Sequence, residues 1–428
     1  QLVFRTNDGN DGASPTERLR IDSNGSILTA TLGTDNVHLG EGAGDSIASG
    51  GNLNTLIGKD AGTAITTGTD NTFVGSNAGD ALIDSDHNVA IGHQSLTADT
   101  KGSKSVAVGA FSLNAQNFSS ATDSHNTAVG YVSGAAITTG IENTLIGALS
   151  GDAITTGNYN VAMGVQALSA NVEGSKSTAI GQQALYNQTP SSAADMHNTA
   201  VGFQAGLSVT TGTKNIAVGA SAGSQITTGG ANVCIGYQSG DYSQDLTTGS
   251  KNVLIGAYTR TYAEGEEGAN VFGYNVSGDG GYTTIGQDAN DTRLDHGGTT
   301  WATVSDERYK KDITDSTVGL SFVNTLRPRT FNYKNKGELP DTFAAYEEGS
   351  TEVFKSNKTQ HGFIAQEVKA AIDADSSVKD GFKFWNIRSD GSQEVGETAL
   401  IPMLTKAIQE LSAKNDALET RIAALEAE

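Results

Sequence analysis

From Asn36 to Gln287 the hydrophobic and polar positions repeat one short phrase: an asparagine, a β-branched residue, a small or apolar residue, a second branched or apolar residue, and a glycine. NTLIG ends at Gly58, NTFVG at Gly75, NVAIG at Gly92, SVAVG at Gly109 and NTAVG at Gly130, and the phrase returns up to Gly256. The glycine spacing is mostly 17, with steps of 21 from Gly109 to Gly130 and from Gly181 to Gly202, so Gly58, Gly130 and Gly202 lie 72 apart. Self-similarity at a fixed period means stacked units. A period of 17 is too short for a helical repeat, and the phrase alternates as a strand does, with Val89 and Ile91 on one face and Ala90 on the other. ITTG turns, as at Ile137 to Gly140 and Ile154 to Gly157, separate the phrases. Each rung is therefore expected to hold two short strands and two turns. About fourteen rungs at roughly 4.8 Å each make a rod on the order of 70 Å long. The glycines allow backbone conformations closed to other residues, and the recurrent asparagine can form a side-chain ladder along the stack. So narrow a coil encloses little core and leaves an outer apolar face, so several chains are expected to pack together.

The rest of the chain follows other patterns. Residues 1–33 hold short alternating runs, QLVFRTNDG and ERLRIDSNGSIL, closed by Asn-Gly or Asp-Gly, which read as strands and tight turns of a β adaptor. The array occupies 34–287, an exit linker 288–304, a small α+β domain 305–398 and a terminal helix 399–428. Within the α+β domain, 316–333 reads as a helix and then a strand, 340–360 as a polar insertion, and 362–372 as a strand or turn entering a helix. The terminal helix has a heptad, with Ile401, Ile408, Asn415 and Ile422 at a and Leu404, Leu411, Leu418 and Leu425 at d. Lys414 and Arg421 at g can meet Glu419 and Glu426 at e of a neighbour, which favours parallel strands in register. Isolated coils with isoleucine at a, leucine at d and one asparagine lean towards a dimer.

Composition narrows the function classes. A formal charge of -21 argues against binding a nucleic-acid backbone or an anionic membrane face. One cysteine excludes an intrachain disulfide framework. No stretch approaches the length of a membrane span, and the first residues show no targeting pattern. Gln1 at the head leads us to expect that the natural chain begins upstream.

The chemistry of interest sits where the patterns change, in TWATVSDERYKKDI at 300–313. Ser305 stands five residues before Lys310, among Asp306, Arg308 and Lys311. A serine hydroxyl needs a base, and lysine serves only when burial or nearby positive charge destabilises its ammonium. Arg308 and Lys311 are candidates to supply that charge. Five residues subtend roughly 140° on a helix and opposite faces of a strand. Either the backbone bends between Ser305 and Lys310, or the lysine belongs to another subunit.

SDERYKKDI, LRPRTFNY (326–333), HGFIAQEV (361–368) and ALIPMLTKAIQEL (399–411), in that order, resemble the C-terminal intramolecular chaperone of endosialidases and other phage tail fibres and tailspikes. The resemblance spans Ser305 to Glu428. It implies a domain that assembles the preceding fibre into a trimer and then releases itself by cutting before the motif serine. Carried over, it makes Ser305 the nucleophile, Lys310 the base, Asp306 and Arg308 supporting residues, and Val304-Ser305 the scissile bond. Tyr309 stands where the family often has an aliphatic residue. The repeats are similar to the left-handed parallel β-roll heads of trimeric autotransporter adhesins. Both resemblances imply a trimer, and a short coil follows the domains attached to it. The expected fold is mainly β: a trimeric left-handed parallel β-roll, then a small α+β chaperone domain and a parallel coiled coil.

Ligand contacts are expected in loops that depart from the repeat. The candidates are 111–126, 185–198 and 259–270, with Phe118, Tyr186, Tyr258 and Tyr262 as contact residues. His87, His125 and His197 each precede the motif asparagine, which repetition of one rung position explains without a metal. Cys234 occupies an alanine slot, and Glu266 and Glu267 lack the opposed geometry of a glycosidase pair. No metal or cofactor is expected. The reading is a homotrimeric phage tail fibre made in the bacterial cytoplasm and carried on the virion. It joins an upstream virion component, contacts a host cell-surface receptor with glycans among the candidates, and acts enzymatically only as a single-turnover Ser/Lys self-cleaving peptidase. A bacterial trimeric surface adhesin, which predicts a C-terminal membrane anchor, and a polysaccharide-binding or depolymerising tailspike are the alternatives.

Overall fold

The computed structural model describes residues 2–6, 16–21, 27–29, 33–241, 246–378 and 383–427. Two compact units result, Gln1–Ser305 and Asp306–Glu428.

The first unit begins with strands Leu2–Thr6, Thr16–Ile21 and Ile27–Thr29 in an antiparallel sheet. A sixteen-stranded sheet follows, running in chain order from Val37–Leu39 to Asn290–Asp295. This is a β-solenoid in which each rung adds one parallel strand, usually of three residues, such as Thr72–Val74 and Val89–Ile91. Phe73, Ala90 and Ala107 are register partners and fully buried, so the middle position of each strand forms an internal column. The third position looks outward, and Ile91, Ile146, Ile180 and Ile235 stay exposed. The last strand pairs antiparallel with Tyr282–Gln287, so part of the expected exit linker is instead a hairpin closing one end of the sheet.

The expectation of two strands per rung is corrected. The ITTG sides are turns, joined rung to rung by bonds such as Thr138 N–H to the Thr155 carbonyl at 2.9 Å. Residues on those sides take left-handed backbone angles, among them Asp70, His87 and Tyr159, and such angles interrupt regular pairing. Among the described residues a second strand, only two residues long, forms at three places: Gly102–Ser103 with Thr122–Asp123, Gly174–Ser175 with Ala194–Asp195, and Arg260–Thr261 with Ser277–Gly278.

Glycine closes each strand for two reasons. Gly75 has φ +141°, and a Cβ there would stand 2.4 Å from the Gly92 carbonyl oxygen of the next rung. The asparagine ladder runs inside the solenoid. Asn143 donates through Nδ2 to the Gly157 carbonyl (3.0 Å) and to Asn126 Oδ1 (3.2 Å), while its Oδ1 accepts from the Asn160 backbone N–H at 3.1 Å. Each carboxamide thus serves buried backbone groups that would otherwise go unpaired.

Serine replaces asparagine at Ser105 and Ser177, and there a glutamine from the longer rung fills the gap. Gln116 accepts from Asn126 Nδ2 (2.8 Å) and donates to the Ser105 hydroxyl (2.8 Å) and the Asp99 carboxylate (2.6 Å). Gln188 accepts from the Ser177 hydroxyl at 3.1 Å and from Asn198 Nδ2 at 2.9 Å.

The second unit contains helices α1 (Leu320–Val323), α2 (Ala365–Ala374) and α3 (Ile401–Glu426). Two antiparallel strand pairs accompany them, Arg329–Phe331 with Gln360–Gly362 and Trp385–Ile387 with Gln393–Val395. The core joins Phe322, Val368, Ile372, Phe384 and Leu400. At the base of α3, Ala407 is buried and the Glu410 carboxylate accepts the Leu320 backbone N–H at 2.9 Å, satisfying an orphan donor at the start of α1. The heptad stripe is exposed along the helix, from Ile401 to Leu425.

Candidate functional site

The junction is built from an irregular segment and one tight turn. Val304 and Ser305 belong to no helix or strand, and both are exposed, Val304 at 62%. Glu307–Tyr309 form a single 3-10 turn, and Lys310 follows in extended conformation with its N–H donating to the Glu307 carbonyl at 2.9 Å. The backbone therefore does bend between the serine and the lysine.

Asp306 caps that turn. Its carboxylate accepts the Arg308 backbone N–H (2.8 Å) and both arms of the Arg308 guanidinium, at 3.0 and 2.7 Å. Arg308 holds the Asp306 carboxyl below its usual range, with a smaller contribution from Lys310, and Asp306 raises Arg308 in turn. The expectation that Arg308 lends uncompensated positive charge to Lys310 is thus corrected: its guanidinium is matched by the Asp306 carboxylate. The supporting pair shapes the turn.

The candidate contact residues separate. Phe118 is buried, only 5% exposed, with its ring over Gly102, which removes it as a surface contact. The tips of the two inserts, Ser119–Ala121 and Ser191–Ala193, are exposed, and Thr122–Asp123 and Ala194–Asp195 beside them pair in the short second strands. Tyr186 is half-buried. Tyr262 is exposed, and its phenol is raised by partial burial first and then by Asp291 and Asp279.

Tyr258 is half-buried between two rings. Its ring packs edge-to-face with Tyr237 at 5.3 Å and with Tyr274 at 5.8 Å. His93, Phe111 and Tyr131 form a second such stack, at 5.2 and 6.1 Å. Sequence reasoning missed both stacks. The signal was an aromatic residue one or two places after the strand glycine in three successive rungs.

The remaining residues are accounted for locally. His87 lies 3.9 Å from Asp70 and His197 lies 4.0 Å from Asp195. Among the described residues no group of three or more histidines, cysteines and carboxylates is placed to hold a metal ion. Burial pushes the Cys234 thiol up to about 12. Glu266 accepts the Gly280 N–H at 2.9 Å and Glu267 faces Lys251 at 3.7 Å. Among the described residues no helix is long and apolar enough to cross a membrane.

No curated protein and no solved structure matches the chain. The sequence profile of one family, described as the chaperone of endosialidase, matches residues 305–376. From the junction serine to just past α2, the segment that follows the solenoid is similar to a family of autoproteolytic intramolecular chaperones.

Proposed function

We propose that the chain is a bacteriophage tail fibre or tailspike protein. In this reading three copies assemble through the C-terminal chaperone and its coiled coil, the solenoid serves host attachment, and the chaperone then cuts itself away between Val304 and Ser305. The observation that carries the reading is the position of the profile match, which starts at Ser305 where the two compact units meet. Two exposed apolar surfaces support assembly: the outward strand column of the solenoid and the heptad stripe of α3. An exposed scissile bond outside regular structure can be cut without breaking a strand or helix.

In the proposed reaction, the neutral Lys310 amine, from the same chain or a neighbour, takes the proton of the Ser305 hydroxyl. The Ser305 Oγ attacks the Val304 carbonyl carbon, the Val304-Ser305 C–N bond breaks, and the Ser305 nitrogen leaves protonated. One water then hydrolyses the resulting ester, leaving a carboxylate on Val304 and restoring the serine hydroxyl. Each chain turns over once.

The test is the intact mass of denatured, freshly assembled protein beside Ser305→Ala and Lys310→Ala, with light scattering for the mass of the assembly. Fragments ending at Val304 and beginning at Ser305 in the parent, whole chains in both variants, and an uncut mass three times 44.1 kDa are expected. A parent that assembles and stays whole makes the C-terminal unit a permanent cap.

A further inference from the structure

We propose that the solenoid edge carrying Tyr237, Tyr258 and Tyr274 is a binding platform for a neutral glycan, an inference that rests on the attachment reading and supplies its ligand class. The rings sit just after the strand glycines of three successive rungs, Gly236, Gly256 and Gly273. Tyr237 and Tyr274 are each 49% exposed. Against Tyr258 and Tyr274 lies a shallow cleft of about 320 Å³, completed by Gln238 and Asn275.

The cleft pairs aromatic surface with carboxamides. Asn275 Oδ1 accepts from Arg260 Nη1 and its Nδ2 donates to Asp288, each at 2.8 Å. These two bonds fix the orientation of the amide and use half its capacity, leaving one lone pair and one N–H. A pyranose presents the matching pattern: C–H groups that pack on a ring, and neighbouring hydroxyls that both donate to and accept from a carboxamide. The chain's charge of -21 repels polyanions at long range, which selects a neutral sugar over an acidic one.

The second aromatic stack separates binding from packing. His93, Phe111 and Tyr131 hold corresponding positions after Gly92, Gly109 and Gly130, and Ala110 matches Ala257. There, however, Leu113 and Val132 stand in the places of Arg260 and Asn275. Stacked rings serve the rung edge in both sites; the oriented carboxamide belongs to one.

The experiment applies full-length protein to an array of neutral and acidic glycans, then measures saturation-transfer NMR with the neutral oligosaccharides that bind. Tyr258→Ala and Asn275→Val are expected to weaken neutral-glycan binding at least tenfold, and Tyr131→Ala to leave it unchanged. Asn275→Val installs the residue its sibling rung already carries at a left-handed angle, φ 59° at Val132, and so serves should Tyr258→Ala not fold. Absence of neutral-glycan binding, binding to acidic glycans alone, or both variants binding as well as the parent overturns the platform. So does a Tyr258→Ala variant that alters the assembly's mass and leaves glycan binding intact, since that makes the edge a contact between copies. Adsorption to a panel of bacteria separates the two readings. Equal glycan binding and equal adsorption by parent, Tyr258→Ala and Asn275→Val overturn the platform and keep attachment, whereas glycan binding without any adsorption overturns attachment and keeps the platform.

Discussion

The two units stabilise themselves in opposite ways. In the solenoid most rungs repeat their neighbour's contacts, so the same groups meet from level to level: glycine carbonyl against glycine, carboxamide against carboxamide, and one internal apolar residue against another. The second unit has one small core around Phe322 and Phe384, no internal repetition, and surface ion pairs such as Arg329 with Glu367 at 2.9 Å. Repetition makes each position answer to two neighbours at once. A local error in the solenoid is therefore confined in space and severe in energy. In the second unit, tolerance depends on whether the position touches the core.

Glycine substitution is the strongest way to break this contrast. Gly147 has φ +132°, and a Cβ there would lie 2.6 Å from the Gly164 carbonyl oxygen. Gly147→Ala should cost about 4 kcal/mol or more in urea unfolding, as strain and backbone clash combine. Gly349, in the second unit, has φ +70° and nothing within 4 Å of the same added atom. Gly349→Ala should cost only about 1–2 kcal/mol, the left-handed penalty alone. Equal losses would remove the distinction. Next in size is Asn143→Ala, which orphans the buried Gly157 carbonyl and Asn160 N–H and should cost about 3 kcal/mol.

Acid sharpens the comparison without mutation. Arg329 holds the Glu367 carboxyl below its ordinary value of 4.5, so the pair's contribution is complete above that pH and is lost as pH falls through the lowered folded-state value. Glu394 and Asp390 are lowered likewise, by Arg388 and by Ser392 respectively, whereas the solenoid's ladder of amides does not titrate. Hydrogen exchange followed from neutral pH to about pH 3 should show the second unit losing protection first. The smallest effect is expected at Cys234→Ala: Ala217 already holds the adjacent rung's equivalent slot, so a loss under about 1.5 kcal/mol in urea unfolding is predicted.

Legibility in the sequence follows the same division. A period of 17, a strand phrase and a recurrent asparagine were enough to read the solenoid, because each rung restates the constraint. What one rung does only with help from another was not legible. Gln116 and Gln188 read as part of polar inserts, yet they replace missing asparagines at Ser105 and Ser177. Phe118 read as a protruding ring, and its burial depends on the glycine at Gly102 in an earlier rung. The supposed second strand failed because side-chain pattern does not encode the left-handed angles of residues such as Leu96 and Leu168. At the junction the motif was plain, but the charge on Arg308 could not be assigned until the Asp306 fork was seen.

The 72-residue spacing of Gly58, Gly130 and Gly202 makes the solenoid a ruler with a built-in unit of length. Removing residues 59–130 would join Gly58 to Tyr131, as Gly130 is joined now, and bring strand Thr55–Ile57 beside Thr144–Ile146. The chain would shorten by four rungs, roughly 19 Å at 4.8 Å each, with the ladders and the hairpin end intact. Length can thus change by whole super-repeats while the residues around Tyr258 and Ser305 stay as they are.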